Sequence, residues 1–200
     1  MNDSRREKKT HRKCIELSEE SNAIDYLTMA NTFINQVKSN ENMWKWIVIA
    51  LHGALYGFAV CSCQGVNPDN VSSKNKKGCI KLISFDEAIK RCKKASPKYS
   101  IDPNVHLNLT EQQEKSVETL RVTFRNNIEH FVPKTWLIET GGFPVIANDI
   151  LDIIYFLAVK MNNYSNFTSD QIAEIKKSIN TSKKKLSKNI SHMLPGLRKI

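Results

Sequence analysis

The chain has no CxxC pair; its five cysteines, Cys14, Cys61, Cys63, Cys79 and Cys92, are scattered, and no Cys/His group has the spacing of a structural zinc site. No metal ligation is therefore expected. No secretory n-region and h-region opens the sequence, since Met1 to Asn22 are mostly charged and polar, so reduced thiols in a cytoplasm are expected. Glycine and proline are sparse, seven and six in 200 residues, which excludes a low-complexity or collagen-like chain. No internal repeat is present, which argues against a solenoid or propeller. Negative charge is in short supply. Thirty Lys and Arg face 20 Asp and Glu, a formal net charge of +10. That excess implies an anionic partner, nucleic acid before acidic membrane, or else a solvated basic surface that keeps the protein soluble.

What is present is helical periodicity. Two hundred residues with 40% hydrophobic content suggest one domain with appendages. Residues 1–18 carry Arg5, Arg6, Lys8, Lys9, Arg12 and Lys13 with little to bury, and read as a flexible basic arm. Residues 19–165 read as the helical domain, and 166–200 as a basic C-terminal helix and tail, peripheral to it. Ala23–Val37 places Ile24, Leu27, Ala30, Phe33, Ile34 and Val37 on one stripe. Residues 65–98 form a basic insert, with a loop to Gly78, a brief extended piece at Cys79–Ile83 and a helix from Phe85 to Lys94. Ser84 and Glu87 fit a capping box for that helix. Pro144 suits the first turn of a helix over Val145–Met161, with Asp149 and Asp152 on its wet side. Thr168 caps a last helix to about Ile190, lined by Lys176, Lys177, Lys183, Lys184, Lys185 and Lys188.

Met43 to Cys63 is apolar nearly all round, so it is either a central core or dimer-interface helix or a membrane span. His52 in mid-segment, and the amphipathic helices that need a partner, favour the core. No membrane is expected as a partner. Gly53 and Gly57 allow another helix to approach closely, within the chain or between subunits. His52 and Tyr56, four apart, share a face, and a buried, hydrogen-bonded histidine is the expectation there.

The stretch richest in chemistry is the amphipathic helix opened by Thr110, with Glu111, Gln113 and Glu114 in its first turn. Val117, Leu120, Phe124, Ile128 and Phe131 recur at helical spacing, and Pro133 ends the run. Near its end lies RNNIEH, carrying Arg125, Asn126 and His130. Asn126 and His130 share a face, as do Arg121, Arg125 and Glu129. Arg125 and His130 are five apart, roughly 140° out of register on an α-helix. They converge only where the helix bends or on a ligand lying across its end. Without such convergence, Arg125 pairs with Glu129 on a wet face and His130 satisfies a late carbonyl. Lys134 and Trp136 follow beside the site, a cation and an aromatic of the kinds that meet phosphate and base.

An arginine, a small polar residue and a histidine late on an amphipathic helix resemble the signature of the HEPN superfamily, and Arg125, Asn126 and His130 match it position by position. A second instance of the string, Arg6 to His11, lies in the basic arm, where no apolar periodicity supports a helix. The resemblance implies an all-α HEPN-like bundle of four to five main helices. It further implies a metal-independent endoribonuclease without cofactor, working as a homodimer with a composite site, in a toxin–antitoxin or phage-defence setting with an antitoxin as possible partner. His130 then handles the proton of the ribose 2′-hydroxyl, Arg125 stabilises the phosphorane and Asn126 orients His130 or bonds phosphate. Arg121 and Lys134 are the flanking candidates for RNA phosphates. The rival expectation is a non-catalytic all-α module that binds RNA or protein. A small membrane-attached helical protein comes third.

Overall fold

The computed structural model describes residues 15–65, 67–74, 77–99, 102, 104–125, 139–161 and 167–193. Helix α1, Glu19–Gln36, starts earlier than its apolar stripe predicts. Ser18 and Ser21 cap each other's backbone there, Ser18 accepting from the Ser21 amide and Ser21 from that of Ser18. Helix α2, Met43–Gln64, follows the expected bounds and turns out to be the axis of the molecule. It carries an 18-residue window apolar enough to cross a membrane, yet 72% of that window is buried by the rest of the fold. Its apolar surface is covered by protein on several sides, as the core reading requires.

Helices α1 and α2 form an antiparallel pair in which Phe33 meets Trp46, Tyr26 meets Gly53 and Ala23 meets Gly57. A Cβ on Gly57 would lie 2.8 Å from the Cβ of Ala23, and one on Gly53 would lie 2.7 Å from the Tyr26 ring. The two glycines thus serve a close approach within the chain.

After α2 a short 3-10 turn, Pro68–Val71, leads into β1, Ser72–Lys74, which pairs antiparallel with β2, Ile80–Leu82, in register Ser73 to Lys81. The brief extended piece expected at Cys79–Ile83 is thus half of a two-stranded ribbon. Helix α3, Phe85–Cys92, is capped by Ser84, but Glu87 does not complete the box; its carboxylate takes a 2.7 Å bond from Arg91 instead. Arg91 also donates to the Asn70 carbonyl, fastening α3 to the turn after α2. Helix α4, Glu111–Glu118, opens with a complete capping box between Thr110 and Gln113 and then continues as a π-helical segment, Thr119–Arg125. Helix α5, Phe143–Tyr155, with Pro144 in its first turn, continues in the same way through Phe156–Lys160.

Helix α6, Ser169–Met193, is the main departure from expectation. Its lysines suggest a peripheral element, yet Ile175, Ile179, Ser182 and Leu186 are all buried, and the helix packs on α1 and α5. Ser182 donates to Asn31 of α1 at 3.0 Å, and Lys183 donates to Asp152 of α5. A small polar residue, Ser182, seats the helix as closely as an alanine would while satisfying its own hydroxyl. The lysines occupy only the outward face, where Lys176, Lys177, Lys184 and Lys188 are exposed. Among the described residues the architecture is all-α apart from the ribbon, and α6 shares the core of the other helices.

Candidate functional site

Of the apolar face expected on the motif-bearing helix, Val117 and Leu120 are buried against α2 and α5, while Ile128, Phe131 and the side chain of Phe124 lie outside the described residues. Its polar shoulder is tied down as well. Ser116, 1% exposed, donates to Asp149 of α5 at 2.6 Å, and Gln112 reaches the same carboxylate at 3.3 Å. Asp149 and Asp152, expected on the wet side of α5, are half-buried and hold α4 and α6 respectively.

From Thr119 the helix changes register. A π-helix closes each hydrogen bond over five residues instead of four, which widens the turn and brings residues five apart toward one face. Such turns also bend the helix that contains them. The described part of this segment reaches Arg125, the first residue of RNNIEH. The Arg125 backbone is therefore in π geometry, whereas its side chain, Asn126, His130, Lys134 and Trp136 lie outside the described residues.

Arg121 is described, and it is engaged. Its Nη1 donates to Asp86 Oδ2 of α3 at 3.2 Å, with Nε 3.2 Å from Oδ1 in the same ion pair, and its Nη2 donates to Glu118 at 2.9 Å. A phosphate at Arg121 has to compete with two carboxylates already in place. The insert lysines are mixed in the same sense: Lys93 pairs with Glu114 at 2.6 Å, while Lys90, Lys94 and Lys98 are exposed.

Two clefts meet at Arg121. One, about 620 Å³, runs between α3 and α4 and alternates Lys90, Lys93 and Lys115 with Asp86, Glu111, Glu114 and Glu118. Its charges nearly balance, so it has no field of one sign. The other, about 540 Å³, lies among α1, α2 and the ribbon–α3 junction and is lined by Tyr26, His52, Tyr56 and Phe85 with Glu19 and Asn22. His52 is half-buried there, stacked on Phe85 with ring centroids 4.8 Å apart and planes 17° from parallel. Tyr56, one turn on, donates to the Ile83 carbonyl. Burial, with Glu20 beside it, raises the Glu19 carboxyl above the usual carboxylate range.

The shared face of His52 and Tyr56 is legible from their spacing; the cleft in front of them is not. Its Tyr26 has one faint signal, an aromatic off the apolar stripe of α1 and opposite the glycine at position 53. Among the described residues no three His, Cys, Asp or Glu side chains come together in a way that holds a metal ion. Cys63 and Cys92, far apart in sequence, sit with sulfurs 3.4 Å apart in the core, a pairing no local pattern announces. No family model matches the chain, and neither a curated protein nor a solved structure matches it.

Proposed function

We propose that this protein is a metal-independent endoribonuclease of HEPN type, cleaving RNA by attack of a ribose 2′-hydroxyl on the adjacent phosphate. The observation that carries the reading is the π-helical run Thr119–Arg125 leading directly into RNNIEH. On a straight α-helix Arg125 and His130 diverge by roughly 140°. Continued through the motif, the π register that Arg125 already holds would lessen that divergence, because residues five apart then approach one face. π-Turns are also frequent at functional sites.

On this reading His130 takes the 2′-proton, being the side chain whose ordinary pKa lies nearest neutrality. Arg125 holds the charge that grows on the phosphorane oxygens, and its planar fork suits two of them at once. Asn126 orients His130 or bonds a phosphate oxygen. Lys134 meets a flanking phosphate, and Arg121 does so when phosphate displaces Glu118 or Asp86. One arginine and one histidine are a small catalytic set, so a homodimer that brings two motifs to one phosphodiester completes the site. The protein then works in the cytoplasm, with an antitoxin or other neutralising partner to restrain it.

The test is incubation of purified protein with RNA in EDTA, beside Arg125→Ala and His130→Ala. Cleavage by the wild type that both variants lose is the expected result. Cleavage that persists in His130→Ala rejects the assignment. RNA binding without cleavage in all three leaves a non-catalytic RNA-binding module.

A further inference from the structure

The aromatic cleft between α1, α2 and α3 lies outside the RNNIEH chemistry, and its lining has a definite character. Tyr26 on α1, 36% exposed, forms one wall. The stacked His52 and Phe85 form another. Gly53 also lines the cleft, and the Tyr26 ring lies close against it, where a Cβ would come within 2.7 Å of that ring. Asn22 supplies an amide that both donates and accepts, and Arg121, in its ion pair with Asp86, stands at the rim shared with the neighbouring cleft.

We propose that this cleft is a nucleobase-binding subsite, with Tyr26 and the His52–Phe85 stack taking the faces of the base and Asn22 taking its polar edge. Its volume, about 540 Å³, falls within the range of small-ligand sites. Base–aromatic stacking tolerates any base, because every base has a π-face, while edge groups add selectivity. A purely apolar ligand would cover the Asn22 amide without offering it a hydrogen bond. A simple anion would meet two aromatic walls and two carboxylates, Glu19 and Asp86, the latter already holding Arg121. A planar heterocycle with donors and acceptors on its rim satisfies both halves of the lining. Arg121 lies four residues before Arg125 on the same helix, so a base held here belongs to a strand that passes toward RNNIEH. For that continuation, and only for it, the inference rests on the ribonuclease reading.

The test is calorimetric titration of the full chain with AMP and with UMP, ribose 5-phosphate serving as the ligand that lacks a base. Saturable one-to-one binding of at least one mononucleotide is expected, with none for ribose 5-phosphate. Tyr26→Ala should weaken that binding by roughly tenfold or more, as loss of one aromatic stack does. Asn22→Ala, at a half-buried position on the same wall, provides a second variant should Tyr26→Ala fold poorly, and circular dichroism checks each fold. The subsite is refuted if neither mononucleotide binds, if ribose 5-phosphate binds equally well, or if the folded variants bind like the wild type. The two proposals fail separately. Mononucleotide binding without RNA cleavage retains the subsite and removes the nuclease, whereas cleavage without mononucleotide binding does the reverse. A mononucleotide that binds while a single-stranded hexanucleotide fails to compete with it supports the subsite, its ligand then being free nucleotide.

Discussion

Gly57→Ala tests whether α1 and α2 are as close as their glycines allow. Two terms of opposite sign act at that position. Alanine is the better helix former by about 1 kcal/mol, through backbone entropy that glycine loses on folding. Against it, the new Cβ would lie 2.8 Å from the Cβ and 3.2 Å from the Cα of Ala23, which is fully buried. That is on the order of 1 Å inside the best carbon–carbon separation, and a backbone atom cannot rotate away. Overpacking of this kind costs about 1–3 kcal/mol. Because part of the clash is with backbone, the upper part of that range, about 2–3 kcal/mol, applies, so sterics win and the expected net loss is about 1–2 kcal/mol. For a chain of this size that lowers the melting midpoint by about 2–8 °C. Gly53→Ala is the internal control: its clash is with the ring of Tyr26, a partly exposed side chain that can swing outward. There the helix-propensity gain offsets the lost ring contact, and stability should stay within about 0.5 kcal/mol of the wild type. Thermal and urea unfolding followed by circular dichroism measure both. A Gly57→Ala variant that melts at or above the wild-type midpoint would contradict the close pairing of α1 and α2.

Three further outcomes follow from particular contacts. Ser116→Ala removes a buried hydroxyl that donates to Asp149 and should destabilise by about 1–2 kcal/mol in urea; an unchanged midpoint would mean that water already serves the carboxylate. Burial and Glu20 raise the Glu19 carboxyl above its ordinary 4.5, so the folded chain binds its proton more tightly than the unfolded chain does. The stability tied to that proton is complete below pH 4.5 and is lost as pH rises through the folded value. Glu19→Gln should therefore be the more stable protein at pH 7, with the advantage vanishing at or below pH 4.5, and a difference independent of pH would refute this. Cys61, Cys63 and Cys92 are buried; burial raises the Cys61 thiol, and the bond with Cys63, together with burial, raises that of Cys92. Iodoacetamide at pH 8 should modify exposed Cys79 well before these three, which mass spectrometry of the peptides reads directly. Equal rates would show that the core opens readily.

Much of the fold can be read from local pattern, because a continuous apolar run such as Met43–Gln64, flanked by amphipathic helices that need a partner, is covered at the centre. The Thr110–Gln113 cap and the first-turn Pro144 are likewise written in adjacent residues. What escapes is whatever depends on a distant partner. Asp149 and Asp152 look solvated until Ser116 and Lys183 arrive from other helices. Helix α6 looks peripheral because lysines dominate its composition, whereas Ser182, which seats it on Asn31, counts as polar in any hydrophobic pattern. The start of α1 is hidden because serine, in place of glutamate or glutamine, completes its capping box. The π register at Thr119 has no sequence signature, although it alters how Arg125 enters the motif. Of the residues singled out for chemistry, Arg121 and the His52–Tyr56 face are described, and each has structural partners that spacing alone does not reveal.

The chemistry attributed to RNNIEH leaves a mark on its products that no other part of the account leaves. Mass spectrometry of RNA fragments released in EDTA should find 2′,3′-cyclic phosphate on the upstream piece and a 5′-hydroxyl on the downstream piece, with neither formed by His130→Ala. Fragments ending in a 3′-hydroxyl, or the same fragments from His130→Ala, would contradict it.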